Sequence, residues 1–183
     1  SIFENGNIDF NSLEKALRSP QKMAFIQRSC GYSWRPSLSI ENIRDICKLI
    51  HDIQPECICF VDNCYGEFVE EIEPTEVGAD LIAGSLIKNP GGTIVPTGGY
   101  IAGKSSLVDL ACCRLTAPGI GSQAGSGFNL HRLLLQGLFL SPQMVSESLI
   151  GAEIISGVFH ELGFQVKPLP GELRGDLIQA ICF

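Results

Sequence analysis

Residues 57–62, CICFVD, and residues 80–86, DLIAGSL, decide the fold of this 183-residue chain. The first stretch is apolar until it ends in the carboxylate of Asp62, which is typical of a strand covered on both faces in a parallel sheet. The second stretch predicts another strand, which runs into Lys88 and the turn NPGG at residues 89–92. Ligands of open α/β sheets bind beyond the carboxyl ends of the strands, so Asp62 and Lys88 are expected at one such edge.

The flanking sequence extends this sheet. Residues 22–29, KMAFIQRS, predict a strand, and residues 39–53 predict an amphipathic helix with Ser39 as its N-cap. Strand, helix and strand then form a right-handed crossover unit. The whole pattern predicts an α/β domain, a three-layer sandwich around a mostly parallel central sheet.

The second half of the chain is predicted to be mainly helical. Helices are expected over residues 105–115 and from about 128 to 160, with Pro142 starting a new helix. The length of the apolar run LLLQGLFL, residues 133–140, favours a buried helix over a membrane span. Two final strands are expected at residues 164–169 and 177–183.

Composition narrows the possible functions. Apolar residues make up 45% of the chain and charged residues 18%, which is typical of one globular domain. The net charge of −7 and the absence of a dense Lys/Arg run argue against binding to nucleic acid or to an anionic membrane. A small molecule is therefore the expected partner.

The cysteines and histidines favour no metal site. Eight cysteines include three in or beside a predicted strand, Cys57, Cys59 and Cys64, and an adjacent pair, Cys112 and Cys113. No pair has the C-x-x-C spacing of a zinc knuckle, and the three histidines are far apart. We therefore predict buried thiols, no metal ligands and a reducing, cytoplasmic location.

An amine and a carboxylate at one sheet edge suit pyridoxal phosphate. That cofactor needs a lysine to hold its aldehyde and a carboxylate to keep its pyridine nitrogen protonated. Lys88 and Asp62 supply the pair, and the hydroxyl of Ser85 can bind the phosphate. Taken singly, each of these residues is more often an ordinary surface or turn residue than a functional one.

Longer motifs strengthen this interpretation through resemblance. FVDNCYGEFVE at residues 60–70 and GADLIAGSLIKNPGG at residues 78–92 resemble the cofactor-binding core of the cystathionine and methionine gamma-lyases. More narrowly, the chain resembles the methionine gamma-lyase-like family often labelled aluminium-resistance protein. The motifs that carry this second resemblance are QRSCGYSWRPSL, DNCYGEF, GSLIKNPGG, PTGGYIAG, TAPGIG and QGLFL.

The resemblance implies roles for individual residues. Lys88 is implied as the catalytic Schiff-base lysine, Asp62 as the partner of the pyridine nitrogen and Ser85 as a phosphate ligand. Arg35 stands where relatives begin a loop against the cofactor, so it is a candidate cofactor or substrate contact. Tyr65 is a candidate for lining the pocket, and so is Tyr100, although ordinary packing explains either tyrosine equally well.

The resemblance also implies an activity and an assembly. It implies cleavage of a C–S bond in a sulfur-containing amino acid by a pyridoxal-phosphate enzyme of fold type I, acting as a homodimer or homotetramer. Residues 1–183 would then be the central part of the large domain, without its N-terminal part and without the C-terminal small domain.

Two alternatives remain open. Residues 98–105, GGYIAGKS, match the P-loop expression of nucleotide hydrolases from Gly98 to Ser105, although Pro96 interrupts the strand that should precede such a loop. The chain could also be a non-catalytic module built on a decayed enzyme core, an interpretation that the joint presence of Asp62, Ser85 and Lys88 disfavours.

Overall fold

The computed structural model describes residues 3–4, 7–125, 127 and 129–183. Its strands and helices are β1 (Phe3–Glu4), β2 (Asn7–Ile8), α1 (Phe10–Ala16), β3 (Met23–Gln27), α2 (Ile40–Ile53), β4 (Ile58–Asp62), β5 (Leu81–Ser85), β6 (Gly99–Gly103), α3 (Ser105–Leu115), α4 (His131–Glu161), β7 (Gln165–Lys167) and β8 (Ala180–Cys182). Single turns of 3-10 helix span Pro74–Val77, Asn89–Gly91 and Gly121–Gln123.

The central sheet is four-stranded and mostly parallel, as the sequence predicts. Its order is β3-β4-β5-β6, and β3, β4 and β5 run in the same direction. Only β6 is antiparallel to its neighbour, β5. In this register Asp62 lies opposite Gln27 of β3 and Ala83 of β5, so the parallel strands end at one edge of the sheet.

Helix α2 anchors the core. Ser39 caps it as predicted, and Ser39 and Asn42 exchange the two side-chain hydrogen bonds of a capping box. One stripe of the helix is buried in the hydrophobic core, namely Ile40, Ile43, Ile46, Cys47 and Ile50. Full burial of one isoleucine stabilises the fold by roughly 1.5–3 kcal/mol. Because α2 connects the adjacent parallel strands β3 and β4, the predicted crossover unit is present.

The helical layers on the two faces of the sheet differ. Helices α1 and α2 supply core residues on the face to which Ile26 points. Its neighbour Phe25 points to the opposite face because side chains alternate along a strand. Phe25 packs on Phe60 with ring centroids 5.5 Å apart, yet it stays 61% exposed. The described residues thus leave this part of the second face uncovered.

Helix α4 corrects two predictions. It continues through Pro142 instead of restarting there. Proline cannot donate to the carbonyl of residue 138, but Leu138 and Pro142 are both exposed, so water can satisfy that carbonyl. The run at residues 133–140 is also not buried: Phe139 is 84% exposed, and the helix packs through its small residue Gly137. None of the described helices is long and apolar enough to span a membrane.

The last two strands exist but do not join the central sheet. Strands β7 and β8 pair with each other in an antiparallel two-stranded sheet.

All eight cysteines are free thiols, and those at positions 30, 47, 57 and 59 are buried. Burial of thiols is therefore confirmed for half of them.

Asp80, just before β5, connects three elements at the end of the sheet opposite Asp62. Its Oδ2 accepts from the Cys59 amide at 2.7 Å and lies 3.1 Å from His51 Nε2, while its Oδ1 pairs with Lys104 Nζ at 2.6 Å. Burial by itself would raise the pKa of Asp80, but the bonds from Lys104, Cys59 and His51 outweigh it and lower that pKa. His51, Cys59 and Asp80 are close enough to hold a metal ion. Because both Asp80 oxygens are engaged, and one by a cation, an ion pair explains the cluster better.

Replacing Asp80 should destabilise the fold. We expect Asp80→Ala to lose roughly 1–3 kcal/mol in the free energy of unfolding, because the Cys59 amide is left unpaired in the core. Urea denaturation measures this loss. The exposed Asp109→Ala serves as the control and should stay within about 0.5 kcal/mol.

The same variant has a predicted pH dependence. A carboxyl whose folded pKa is lowered stabilises the protein above its unfolded pKa, near 3.9, and this stability disappears as the pH falls through the lower folded value. The difference in stability between wild type and Asp80→Ala should therefore shrink below about pH 4. An unchanged difference on acidification would contradict the ion pair.

Candidate active site

The ends of β4 and β5 bring the predicted residues to one edge of the sheet. Asp62 is the last residue of β4, and Ser85 is the last residue of β5. After Ser85 the chain turns, with the Lys88 amide donating to the Ser85 carbonyl at 3.2 Å. The turn of 3-10 helix at Asn89–Gly91 then follows Lys88 directly. Lys88 is thereby fixed just beyond the strand end.

Gly91 makes this turn possible. A Cβ atom at residue 91 would lie 1.9 Å from the Leu86 carbonyl oxygen, a separation that no side chain tolerates. Gly91 and Gly92 also approach α4 closely, since a Cβ at residue 92 would lie 2.4 Å from the Gly137 carbonyl oxygen. The glycines that follow the lysine therefore serve close backbone packing.

Asp62, Tyr65 and Lys88 line one cavity of about 610 Å³. This volume lies within the range of roughly 300–1,000 Å³ that is typical of small-molecule sites. The cavity lies between the strand ends, the loop after β3 and the C-terminal segment. Its other lining residues are Gln27, Ser29, Gly31, Tyr32, Ser33, Trp34, Cys64, Ile178, Gln179, Ala180 and Ile181.

The amine of Lys88 lies above an aromatic ring. Its Nζ is 4.2 Å from the centroid of the Tyr65 ring, a cation–π arrangement. Tyr65 itself has φ = 68°, in the left-handed region that a residue with a side chain rarely adopts. Such backbone strain is concentrated at functional sites in proteins. The strain at Tyr65 is therefore a second indication, independent of the sequence motifs, that this cavity is a functional site.

Charges around Lys88 keep it protonated. Burial by itself would lower the pKa of Lys88, but Cys64, Tyr65 and Asp62 outweigh that effect and raise the pKa. Burial raises the pKa of Cys64, so this thiol stays neutral near pH 7, while Asp62 contributes to the raised pKa of Lys88. The cavity thus holds the Lys88 ammonium together with the acidic side chain of Asp62.

Two features of the cavity were missed by sequence reasoning. The Cys64 thiol interacts with both Asp62 and Lys88, and its amide donates to Asp62 Oδ1 at 3.1 Å. A local signal for the amide contact was available in the sequence. An Asp side chain at the end of a strand often accepts from the amide two residues later and so forms an Asx turn.

The C-terminal wall of the cavity was also missed. The buried Asp176 accepts from the Cys30 amide at 2.9 Å and from the Ile178 amide at 3.0 Å. It thereby joins the loop after β3 to the segment that begins at Ile178. No local pattern predicts a contact between residues so far apart in sequence.

Three predicted residues lie outside the lining of this cavity. Arg35 donates to the carbonyls of Pro36, Gln27 and Ser29 at 2.8, 3.2 and 2.6 Å and lines a separate groove beside β3. Ser85 lies at the strand end without lining the cavity. Tyr100 lines a different cavity, together with Glu67. The proposed roles of Arg35 and Ser85 in cofactor binding stay predictions.

The P-loop alternative is not supported. A P-loop needs residues 98–105 as an open loop whose amides surround phosphate. In the structure Gly99–Gly103 is strand β6, hydrogen-bonded to β5 along its length, and Lys104 pairs with Asp80. The β6 amides that bond to β5 and the Lys104 amine are thus already engaged.

The described fold is similar to that of the aspartate aminotransferases, a class of α/β proteins. The aspartate aminotransferase of Thermus thermophilus superposes with a TM-score of 0.62 at 14% identity, over 93% of this chain and 51% of that chain. At this identity the likeness concerns the fold alone.

The chain belongs to the methionine gamma-lyase family, whose match covers residues 1–183. The YnbB protein of Bacillus subtilis, described as uncharacterised, is 46% identical over 100% of this chain and 43% of its own length. A solved structure from Clostridium novyi NT, called a carbon-sulfur lyase involved in aluminium resistance, has a TM-score of 0.94 at 47% identity, over 100% of this chain and 44% of that chain. The chain therefore spans less than half the length of these relatives.

Gly91 and Gly151 should respond oppositely to the same substitution. Gly91→Ala should destabilise the protein by roughly 1–3 kcal/mol, because the new Cβ collides with backbone. Gly151→Ala should stabilise it by roughly 0.5–1 kcal/mol, since Gly151 lies in α4 with open space around its Cα. Thermal unfolding of both variants provides the comparison. A stable Gly91→Ala protein would show that the turn after Lys88 is not tightly packed.

Proposed function

We propose that this protein is a pyridoxal-phosphate enzyme that cleaves a C–S bond in a sulfur-containing amino acid. The observation that carries the proposal is that Asp62 and Lys88 line a single cavity. Membership of the methionine gamma-lyase family and the likeness to a protein called a carbon-sulfur lyase support the choice of reaction. A fold of this kind hosts several chemistries, so the reaction type rests on the family.

The residues present fit the cofactor chemically. A lysine can hold the aldehyde covalently, and a carboxylate can pair with a protonated ring nitrogen. The cavity of about 610 Å³ also offers the Tyr65 ring beside the amine. When bound, pyridoxal phosphate supplies an electron sink for carbanion chemistry at the substrate Cα.

Lys88 has two tasks in this proposal. As a free amine it holds the aldehyde, and after release it moves protons at Nζ. It must first lose the proton that Asp62 helps to retain. Once paired with the ring nitrogen, Asp62 would hold the Lys88 ammonium less strongly, so Lys88 would lose its proton more readily.

The other predicted residues have supporting roles. Asp62 keeps the ring nitrogen charged, and Tyr65 lines the cavity beside Lys88. Ser85 binds the phosphate and Arg35 lies near cofactor or substrate, two roles that rest on the family resemblance. We further propose that the protein is cytoplasmic and assembles as a homodimer or homotetramer. The described sheet and helices would be part of a three-layer sandwich, the large domain of a fold type I enzyme.

Covalent trapping tests the role of Lys88. The purified protein is incubated with pyridoxal phosphate, reduced with borohydride and mapped by peptide mass spectrometry. The label should be on Lys88 and should disappear in Lys88→Ala, while a variant of an exposed lysine of α2, Lys48→Ala, keeps it. A label on another lysine would exclude the assignment, and no label at all would favour the non-catalytic module.

Asp62→Asn tests the carboxylate. The amide has the same shape but no charge, so it cannot keep the ring nitrogen protonated. C–S cleavage should fall by at least about a hundredfold, which corresponds to about 2.7 kcal/mol. The rate of thiol release from an amino-acid thioether measures this loss, with Asp109→Asn as the control. An Asp62→Asn protein as active as wild type would contradict the proposed role.

A further inference from the structure

A second polar cluster lies behind the strand ends, on the side away from the cavity. Arg28, which is fully buried, donates from Nη1 to Asn63 Oδ1 at 2.9 Å. Asn63 Nδ2 donates to Glu73 Oε2 at 2.8 Å and lies 3.3 Å from the Tyr100 hydroxyl. That hydroxyl in turn donates to Glu67 Oε1 at 2.8 Å. Four side chains are thereby connected to Asn63, three directly and Glu67 through Tyr100.

The cluster reaches both residues of the proposed site through their neighbours in the chain. Asn63 directly follows Asp62, and its own amide donates to the Ala83 carbonyl of β5 at 2.9 Å. Asn89 directly follows Lys88, and its Nδ2 donates to the Glu67 carbonyl at 2.9 Å. Both asparagines are buried. Hydrogen bonds through Tyr100 and Glu67 thus connect the chain neighbour of Asp62 to the chain neighbour of Lys88.

This cluster does not touch the proposed cofactor cavity. Asn63, Glu67 and Tyr100 line a different cavity, of about 320 Å³, whose remaining wall is mostly apolar. None of these three residues lines the cavity that contains Asp62 and Lys88. They can therefore act on the site only by holding the backbone that carries it.

Burying these groups is costly, so stability alone is a poor explanation for them. Among the described residues, Glu67 Oε2 and Arg28 Nε are buried without a hydrogen-bond partner. Each unpaired buried polar atom loses its hydrogen bonds to water on folding without replacing them. Burial raises the pKa of Glu67 to about 7. An apolar cluster of the same size would avoid these costs.

Gly84 of β5 leaves room for the contact between Glu67 and Tyr100. A Cβ atom at Gly84 of β5 would lie 2.4 Å from Glu67 Oε1 and 2.4 Å from Tyr100 Cε1. Any larger residue at position 84 would separate the carboxyl from the hydroxyl. The contact between Glu67 and Tyr100 thus depends on a glycine one residue before the end of the strand.

We propose that Glu67 and Tyr100 are positioning residues: through Asn89 and Asn63 they set the placement of the Lys88 amine relative to the Asp62 carboxylate. This inference rests on the proposed function, because it assigns a role in the same site. The residues act on chain segments and not on reacting atoms. Fixed placement of a catalytic group by outer contacts is a general requirement of active sites.

Two variants that preserve shape test the proposal. Tyr100→Phe removes the hydroxyl that joins Glu67 to Asn63, and Asn89→Leu removes the donor to the Glu67 carbonyl without adding a charge. The control is Glu71→Gln, an exposed carboxylate of the same loop. For each protein we would measure the dissociation constant of pyridoxal phosphate, the melting temperature and the pH dependence of acylation of Lys88 without cofactor.

Both variants should weaken cofactor binding by about tenfold or more, in the range found for outer contacts of other sites. Because a displaced Asp62 supports the ammonium less, the pKa of Lys88 from the acylation profile should fall. The double variant should lose less than the product of the single losses, because both changes break one connected path. Glu71→Gln should stay within twofold of wild type.

A different pattern would overturn the proposal. If Tyr100→Phe and Asn89→Leu only melt earlier, and keep the wild-type dissociation constant and acylation profile, the cluster is merely structural. Failure of the proposed function is distinguishable, since wild type would then not carry cofactor on Lys88. The acylation profile would still show whether the cluster controls the placement of Lys88.

Discussion

The parallel pairing of β4 with β5 is the constraint on which the site depends. Phe60, Val61 and Asp62 lie opposite Leu81, Ile82 and Ala83, so both strands present their carboxyl ends at one edge. A slip of one residue would exchange the two faces of a strand, because side chains alternate. Asp62 would then point to the rear side, where Asn63 now lies, and the carboxylate would be lost from the cavity. The register of β4 against β5 therefore determines whether the Asp62 carboxylate lines the cavity.

The register is fixed at both ends of the strand pair. At the amino end, the Asp80 carboxylate accepts from the Cys59 amide and thereby ties the start of β5 to β4. At the carboxyl end, the Asn63 amide donates to the Ala83 carbonyl. A buried charge-assisted bond is stronger than an ordinary amide bond, so the amino end is the firmer of the two. The carboxyl end gains its additional bonds from the Asn63 side chain.

Much of this arrangement could be predicted from sequence. Strand-like runs that end in Asp62 and Ser85 gave the parallel sheet and the placement of Lys88 beyond it, because strand ends and turns have local signatures. The structure of the second half of the chain was harder to predict. Pro142 signals a helix start, yet in α4 the exposed side of the helix accommodates it. Exposure is a property of tertiary packing, and the local sequence does not contain it.

The candidate site was predictable only in part, for the same reason. Asp62 and Lys88 have recognisable positions next to strand ends. The wall at Ile178–Ile181 depends instead on Asp176, which bonds to the amide of Cys30, 146 residues away in sequence. Such a contact has no periodicity or spacing to reveal it. Arg35 shows the converse case, since this residue, placed by resemblance, donates to backbone carbonyls of its own loop and to that of Gln27 at the end of β3.

One short segment at the end of β4 supplies side chains to both sides of the sheet edge. Asp62 and Cys64 line the cavity, whereas Asn63 between them joins the buried cluster behind it. A change at position 63 therefore alters the bonds of Arg28 and Tyr100 without entering the cavity. The buried cluster also limits how far Asp62 can move, because Asn63 accepts from a fixed guanidinium and donates to a fixed carboxylate. Rigid support on one side of the chain thus permits a charged, partly exposed group on the other.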